Sequence, residues 1–387
     1  MKISIYVKGR SWTFQLAEAL SKTDNLDFLI TSYPKFYVKK YKVPSNKIKS
    51  FLFLEIFYRI SNNFIFPLLK KMNIKYNPIV LVDWLADTIY SLFIVKNSNF
   101  LLLGFGNASV KIIKKAKKKN IKTIYFLNNS SPSYRDKVLK EEYDKLGLSK
   151  FYNGEPKALT RKINESINMA DYIGALSSFQ KQTYIDEGFD ESKMFLSLLG
   201  VDTSVFFPKK IKKDKFIVIY VGNNFIRKGV KYLIDAFNSL KLNNSELWIV
   251  GENKKDLIER VVKIEKNNIF IKSVNEFKLP DLYNQSSIFC LPTFEEGLPV
   301  VVPQAMACAL PIISTQYVND IVTNGQEGFI IEPGNTTLIA EKIRFFYENP
   351  DKMHEMGTKA RNRMERDLTF DSVAKRIINF CIEKQNS

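Results

Sequence analysis

The sequence predicts an α/β protein of two doubly wound, Rossmann-like domains that face each other across a cleft. Short apolar runs alternate with amphipathic segments of helical length, which is the pattern of parallel strands joined by right-handed helical crossovers. The alternation breaks at Pro-Lys-Lys (208–210) and then restarts. A chain of 387 residues, 45% of them hydrophobic, is long enough to form two cores.

The break divides the chain into a predicted N-terminal domain at residues 1–207, a C-terminal domain at 208–369 and a final helix at about 370–387. Ligands bind beyond the carboxyl ends of the strands in open parallel sheets, so residues that follow strands are the functional candidates. Strands are predicted at 2–7, 99–105, 122–127, 216–222, 245–251, 268–274, 287–292, 310–315 and 328–334, and helices at 12–22, 109–120, 178–187, 229–240, 254–265 and 337–349.

Two segments, 51–69 and 79–103, are apolar enough to be considered as membrane spans. Neither has the ~20 uninterrupted apolar residues that cross a bilayer. We therefore expect core helices and strands, and a chain that would lie on a membrane if it meets one. The interrupting charges are Glu55, Arg59, Asp83, Asp87 and Lys96.

The net charge of +18 is concentrated in the first half of the chain. Residues 1–200 contain 32 Lys and Arg against 17 Asp and Glu, whereas residues 201–387 contain 26 against 23. This excess is compatible with solvated lysine-rich helices, or with attraction to an anionic surface or a phosphorylated substrate. Nucleic acid is a third alternative, but no recognition module or zinc-ligand spacing supports it.

Cysteine and histidine usage restricts the chemistry. Three scattered cysteines (Cys290, Cys308 and Cys381) do not form a disulfide framework or a zinc site, and they favour a reducing compartment. The single histidine, His354, falls in a predicted peripheral helix. A histidine general base, a serine triad and a histidine–metal site are therefore excluded from the N-terminal domain, and we expect no metal or cofactor.

Two loops that follow predicted strands have the composition of phosphate-binding sites. Gly9 would let the backbone approach a phosphate at the next helix, although a plain tight turn explains it equally well. One glycine is not a GxGxxG fingerprint, so a nicotinamide cofactor has little support. In GNNFIRKGV, Gly222 and Asn223 precede Arg227 and Lys228, cations that could clamp a diphosphate or simply face solvent.

The segment FEEGLPVVVPQAMA places acids before the start of a helix. A helix that begins at about 299–303 leaves backbone amides of Gly297–Val301 without intrahelical partners, and such amides suit an anion. Glu296 would be repelled by that anion and fits better as an acceptor for sugar hydroxyls, as Gln304 could for another hydroxyl pair. The pattern indicates a sugar nucleotide; the alternative is that Glu296 interacts only with the helix dipole.

These segments together resemble the retaining glycosyltransferases of family 4, which have the GT-B fold. The run from Glu296 resembles their EX7E motif, with Gln304 in place of the second glutamate. The similarity covers most of the chain; the C-terminal motifs are jointly specific, and the N-terminal half indicates the fold only. The other matching runs are IYVGNNFIRKGVKYLIDAF, LWIVGEN, VNDIVTNGQEGFIIEPGN and ADYIGALSSFQKQTYIDEGFDESKMFLSLLGVDTSVFFP.

The resemblance implies a retaining, metal-independent hexosyltransferase that uses a UDP-, GDP- or other nucleoside diphosphate sugar. Lys228 and Arg227 would stabilise the diphosphate, and Glu296 would contact hydroxyls of the transferred sugar. The departing phosphate would accept the acceptor's proton, so cationic stabilisation is the main catalytic contribution. The other donor contacts would come from Gly9, Gly222, Asn223, Gly297, Leu298, Pro299, Val300, Val301 and Gln304.

The resemblance also implies that the N-terminal domain binds the acceptor and that the final helix crosses back onto it. The acceptor would be a free or lipid-linked saccharide in cell-surface polysaccharide synthesis (capsule, O-antigen or similar), made in the cytoplasm at the inner face of the membrane. The basic run KKAKKK (114–119) is either a solvated helix face or a patch for that membrane. The acceptor candidates are Asn107, Ser130, Ser131, Tyr134 and Arg135, although helix capping by either serine is equally compatible.

Two positions depart from the family pattern. Gln304 replaces the glutamate that normally accepts hydrogen bonds from ribose; an amide keeps one acceptor and adds donors, so ribose binding should be altered. Asn223 stands where arginine is usual, so either Arg227 supplies that charge or the donor diphosphate is held less tightly. These departures keep open an inactive nucleotide-sugar-binding subunit. A nucleotide-sugar 2-epimerase of the same fold is a second alternative, although such enzymes commonly use a histidine that the N-terminal domain lacks.

Overall fold

The computed structural model describes residues 1–9, 12–72, 79–94, 97–251, 260–262, 264 and 268–386. In this part of the chain, two parallel sheets are each covered by helices, as the alternation of strands and helices predicted. The fold class of two facing Rossmann-like units is therefore confirmed.

The first sheet has seven parallel strands, and alternate residues of each strand point to opposite faces. The strands are β1 (Ile3–Val7), β2 (Leu26–Thr31), β3 (Ile48–Ser50), β4 (Phe100–Gly104), β5 (Lys122–Phe126), β6 (Tyr172–Ala175) and β7 (Met194–Leu196). Their order is β3-β2-β1-β4-β5-β6-β7. Strands β2 and β3 are therefore added on one side of β1 and strands β4 to β7 on the other, while all strands remain parallel.

The helices of this half cover both faces of the sheet. They are α1 (Thr13–Lys22), α2 (Lys35–Val38), α3 (Leu52–Ile60), α4 (Phe66–Lys71), α5 (Ile79–Leu92), α6 (Val110–Lys117), α7 (Pro132–Lys145), α8 (Lys157–Met169) and α9 (Ser178–Ile185). Ile3 and Ile5 share a core with α1 on one face. Tyr6 and Leu101 share a core with α3, α5 and α6 on the other.

The second sheet has six parallel strands in the order β10-β9-β8-β11-β12-β13. These are β8 (Phe216–Val221), β9 (Ser245–Val250), β10 (Ile269–Lys272), β11 (Ile288–Leu291), β12 (Ile312–Thr315) and β13 (Gly328–Ile331). The helices are α10 (Val230–Ser239), α11 (Leu279–Gln285), α12 (Val301–Ala307), α13 (Thr336–Glu348), α14 (Pro350–Asp367) and α15 (Phe370–Asn386). The helix predicted at 254–265 lies largely outside the described residues.

The last helix, α15, packs against the first sheet's helix α1. Lys22 of α1 forms an ion pair with Asp371 at 3.0 Å, and the ring of Phe380 stacks on Phe195 with centroids 3.8 Å apart. Residues from β8 to α14 thus belong to the second sheet's layer, whereas α15 contributes Val373 to the core beside α1.

One expectation from the sequence is wrong in part. The segment 51–69 forms α3, a π turn at Ser61–Ile65 and the start of α4, but its apolar side chains are not all in a core. Leu54 is buried, whereas Phe53 is 55% and Phe64 is 71% exposed. Within the described residues, no helix has the length and apolar character needed to cross a bilayer.

Candidate functional site

Two neighbouring central strands bring the predicted donor loops together. β8 pairs with β11, so the loop after Val221 and the loop after Leu291 leave the sheet side by side. Gly229 closes the first loop at φ +67°, and a Cβ there would lie 2.1 Å from the carbonyl oxygen of Pro292. Only glycine tolerates both the conformation and the contact, so the close approach of the loops depends on this residue.

A compact cluster of two cations and two carboxylates forms where these loops meet. Lys228 Nζ donates a hydrogen bond to Glu296 Oε1. Arg227 Nη1 lies 3.0 Å from Glu296 Oε1 and 3.2 Å from Glu295 Oε2, and it also donates to the Glu295 carbonyl oxygen at 3.0 Å. Thr293 Oγ1 donates to that same carbonyl at 3.1 Å, which fixes the turn. The structure therefore brings together all three residues predicted to be catalytic.

Burial gives this cluster its chemical character. Lys228 is 6%, Glu296 5% and Glu295 0% exposed. Burial, with the Arg227 guanidinium nearby, lowers the pKa of Lys228 well below its ordinary value. With Lys228 protonated, the two cations and the two carboxylates balance in charge. An incoming diphosphate would replace the carboxylates as the partner of these cations.

Glu295 connects the cluster to the other domain. Its Oε1 accepts hydrogen bonds from the backbone amide of Ser130 at 3.0 Å and from Ser130 Oγ at 2.6 Å. The same side chain contacts Arg227, so one carboxylate joins a donor-loop cation to the loop after β5. Sequence reasoning missed this role. The Glu295–Glu296 doublet was the available signal, but it does not reveal which carboxylate faces which domain.

Further contacts hold the two domains close around this turn. Ser177 Oγ donates to the Gly297 carbonyl oxygen at 2.5 Å. A Cβ at Gly297 would lie 2.3 Å from the carbonyl oxygen of Asn128. Ser178 donates from its amide and hydroxyl to Asp320 at 2.7 and 2.6 Å. The described conformation is therefore closed at this end of the cleft.

The predicted acceptor residues lie at this same domain contact or beside it. Tyr134 Oη is 3.1 Å from Tyr317 Oη, and burial raises the pKa of Tyr134. Ser131 is buried at the N-cap position of α7, yet its hydroxyl makes neither a capping bond nor any other hydrogen bond among the described residues. The capping alternative is thus not observed for either serine. Arg135 pairs with Glu155 at 3.1 Å, and the Asn107 amide group donates to the Gly104 carbonyl at 3.0 Å.

A cavity of about 800 Å³ opens between the domains on the other side of the turn. Val300, Val301 and Gln304 of the predicted donor set line it, opposite Tyr37 and Lys40. Gln304 Oε1 lies 3.5 Å from Tyr283 Oη, so its amide group borders the cavity beside a buried phenol. The cavity is large enough for a nucleoside.

The remaining predicted donor residues lie at strand ends. Gly9 follows β1 with φ +76°, and its amide donates to Ser32 Oγ at 2.8 Å. Gly222 follows β8 beside the Lys228 side chain, and Asn223 is exposed next to it. Leu298 is buried, and Pro299 precedes Val300, the N-cap residue of α12; the Pro299 carbonyl oxygen accepts from the Val302 amide. Among the described residues, no group of three or more His, Cys, Asp or Glu is placed to hold a metal ion.

A family profile and several curated relatives match part of the chain. Residues 202–363 match the family profile described as "Glycosyl transferases group 1". An uncharacterized glycosyltransferase of Haemophilus influenzae is 31% identical over 206 residues, which are 51% of this chain and 57% of that protein. The capsular polysaccharide biosynthesis glycosyltransferase CapM of Staphylococcus aureus is 32% identical over 166 residues, 40% of this chain and 43% of CapM. The chain spans about half the length of the curated relatives it matches.

Solved structures match over nearly the whole chain. HepE of Anabaena, in complex with UDP and glucose, has a TM-score of 0.69 at 15% identity over 99% of this chain and 100% of HepE. A mutant of TarM of Staphylococcus aureus, in complex with fondaparinux, alpha-GlcNAc-glycerol and UDP, has a TM-score of 0.70 at 15% identity over 98% of this chain and 99% of TarM. At this identity, the likeness establishes the GT-B fold.

Proposed function

We propose that the whole protein transfers a hexosyl group from a nucleoside diphosphate sugar to a saccharide acceptor, because residues 202–363 match the profile described as "Glycosyl transferases group 1". The proposed reaction retains the configuration of the sugar and needs no metal or cofactor. UDP is the first donor nucleotide to test, since HepE and TarM are complexes with UDP.

The contact of Lys228 and Arg227 with Glu296 carries this proposal. These residues come from segments 68 positions apart and meet beyond the carboxyl ends of β8 and β11. A diphosphate bound there would replace the carboxylates as the hydrogen-bond partner of the two cations. The diphosphate carries more negative charge than a carboxylate, and its oxygens bind guanidinium and ammonium groups well. Glu296, released from Lys228, would then accept hydrogen bonds from the hydroxyls of the sugar.

The proposed step balances without an added base. The bond between the anomeric carbon and the phosphate oxygen breaks, and the acceptor oxygen bonds to that carbon on the same face. The acceptor's hydroxyl proton passes to the departing phosphate oxygen, which leaves a nucleoside diphosphate and the glycosylated acceptor. Lys228 and Arg227 stabilise the charge that develops on that phosphate.

The acceptor side of the proposal draws on the first domain. CapM, a relative by sequence, is named for capsular polysaccharide biosynthesis, which supports a cell-surface saccharide, free or lipid-linked, as the acceptor. The proposed contacts of the acceptor remain Asn107, Ser131, Tyr134 and Arg135. Ser130 could contact the acceptor only after its hydrogen bonds to Glu295 break. We place the reaction in the cytoplasm at the inner face of the membrane, without a nucleic acid partner.

Nucleotide binding by matched lysine variants tests the donor site. Lys228→Ala should weaken the binding of UDP or GDP about 10- to 100-fold in titration calorimetry, since a charge-assisted hydrogen bond contributes about 1.5–3 kcal/mol. Lys231→Ala is the control, because Lys231 lies three residues later and pairs with Asp235 instead. Equal affinities of the two variants would contradict the site.

A panel of sugar nucleotides then tests the transfer itself. We expect donor hydrolysis, measured as release of the nucleoside diphosphate, for at least one UDP- or GDP-sugar. Nucleotide binding without hydrolysis or transfer for any donor would instead favour the inactive subunit. The inactive subunit remains a second candidate because Gln304 borders the cavity with an amide, at the position where the resemblance implies a carboxylate.

A further inference from the structure

The first domain exposes apolar side chains in one concentrated stretch. Twelve of the 22 large apolar side chains that are exposed in the described part of the chain lie between residues 52 and 93. They belong to α3, the π turn, α4, α5 and the residues that directly follow α4 and α5, which we call the apolar layer face. They are Leu52, Phe53, Ile56, Ile60, Phe64, Phe66, Leu68, Met72, Leu81, Trp84, Leu92 and Phe93.

The spacing of the first of these side chains, together with the π turn, favours their alignment along one side of the helices. Residues four apart in an α-helix of 3.6 residues per turn drift by about 40° at each step. A π turn holds more residues per turn, so the turn at Ser61–Ile65 offsets this drift. The side chains that follow one another at steps of three or four residues are Phe53, Ile56, Ile60, Phe64, Leu68 and Met72.

The sequence of this stretch is basic. Residues 51–119 contain 11 Lys and Arg but only three acidic residues, Glu55, Asp83 and Asp87, and all three acids are buried. Glu55 accepts from Ser32 Oγ at 3.2 Å, and Asp83 pairs with Lys8 at 2.9 Å. The acids of this stretch are therefore used inside the protein. On and next to α6, Lys117 and Lys118 are exposed, whereas Lys114 forms an ion pair with the exposed Glu165 of α8 at 3.5 Å.

The basic residues lie next to the apolar ones. α3 packs against α5, and α5 packs against α6, so the three helices form one layer over the same face of the first sheet. Lys111 of α6 places its Nζ 4.2 Å from the ring centroid of Trp84 on α5. An apolar stripe with a cationic border is typical of helices that lie in the plane of a membrane interface.

We propose that the apolar layer face binds the surface of an anionic lipid bilayer, with its apolar side chains inserted among the acyl chains and the lysines at the headgroups. A second copy of this chain is a poorer occupant, because it would oppose two surfaces of the same positive sign. The face is also tied to the cleft: Ser32 Oγ accepts from the Gly9 amide and donates to Glu55 of α3. Bilayer binding stands independently of the sugar transfer.

Vesicle co-sedimentation of matched isoleucine variants tests the face. The wild-type chain should bind vesicles of equal parts phosphatidylglycerol and phosphatidylcholine at least about 10-fold more strongly than pure phosphatidylcholine vesicles, and this preference should fall with salt. Ile60→Glu should weaken binding about 10-fold or more, since burial of a large apolar side chain is lost. Ile382→Glu is the control: both isoleucines lie on helices and are 46% exposed.

Tryptophan emission gives a second readout that needs no charge substitution. Of the three tryptophans, Trp84 is 42% exposed on the face, whereas Trp248 is 8% exposed in the second domain's core. Anionic vesicles should shift the emission to shorter wavelength, and Trp84→Phe should remove the shift.

Three outcomes would overturn the proposal. These are no binding of the wild-type chain to anionic vesicles, an equal loss in Ile60→Glu and Ile382→Glu, and a vesicle-independent dimer that Ile60→Glu dissociates in light scattering. Unchanged nucleotide affinity of Ile60→Glu would show that the variant is folded and that its defect is separate from the donor site.

Discussion

The Glu295–Glu296 turn and the apolar layer face of α3–α5 handle their charges in opposite ways. In the turn, carboxylates and cations from segments 68 positions apart are buried against one another. In the layer, the acids are buried while the lysines stay exposed beside apolar side chains. Both regions contain acidic and basic residues. Burial decides which of these charges are paired inside the protein and which remain exposed to a partner.

The largest expected effect comes from removing the negative charge of Glu296. Glu296→Gln keeps the shape of the side chain but removes its charge, so it contacts sugar hydroxyls and Lys228 more weakly. We expect kcat/KM for transfer to fall about 100-fold or more, which corresponds to about 2.7 kcal/mol of transition-state stabilisation. Initial rates with the donor identified from the panel would measure it.

Glu341→Gln is the matched control for this variant, because Glu341 lies on α13 and contacts only its neighbour Lys342 among the ion pairs of the described residues. A value of kcat/KM for Glu296→Gln within threefold of the control would place the sugar elsewhere.

The domain contact made by Glu295 should show as a coupling energy. Ser130→Ala removes one of the two hydrogen bonds that Ser130 donates to the buried Glu295 carboxylate, and Glu295→Gln weakens both. We expect the two changes to couple by about 1–2 kcal/mol in the free energy of unfolding from urea denaturation, because hydrogen bonds to charged groups are strong and neighbouring changes do not add. Strict additivity of the two single changes would mean that this contact does not hold the domains together.

The smallest expected effect concerns the buried acid Asp87 on α5, in the helical layer that carries the apolar layer face. Burial raises the pKa of Asp87 to about 6 from its ordinary value of 3.8, although backbone amides of Lys111 and Ile112 donate to it. The folded state therefore holds this proton more firmly, and the wild type loses stability from this group as the pH rises from about 4 to about 6.

Asp87→Asn removes that titration. Relative to wild type, the variant should gain about 1 kcal/mol in unfolding free energy between pH 5 and pH 8, measured by urea denaturation. Asp351→Asn, at an exposed position of α14, is the control. The same pH response in both variants would contradict a buried role for Asp87.

The sequence predicted the second sheet well because its strands are long apolar runs between clear helical periods. Their observed limits lie within two residues of the predicted ones at most ends, from Phe216–Val221 onward. In the first sheet, four strands were not predicted: β2, β3, β6 and β7. β3 and β7 have three residues each, and β6 includes Gly174, so none of these three has a run long enough for periodicity to identify. In β2, Asp27 interrupts the apolar run.

The position of the site along the sequence was predictable from the rule that ligands bind after parallel strands. The direction of each side chain was not predictable, because it depends on packing between the domains. Residues after strands in a parallel sheet lie at one edge, and this rule placed Lys228 beside Glu296. No such rule distinguishes Glu295 from its neighbour, because the direction of each side chain depends on the domain opposite. Glu55 shows the same limit: a charge among apolar residues suggests the solvent side of a helix, yet Ser32 and Arg59 satisfy it while Phe53 faces outward.

The close approach of Gly297 to Asn128 bears on the timing of the proposed reaction. A Cβ at Gly297 would lie 2.3 Å from the Asn128 carbonyl oxygen, so the two backbones leave no room for even a methyl group at this point. Under the proposed function, a sugar nucleotide and a glycan need the domains to separate for loading and again for departure. Release of the nucleoside diphosphate would then depend on how readily this close contact opens.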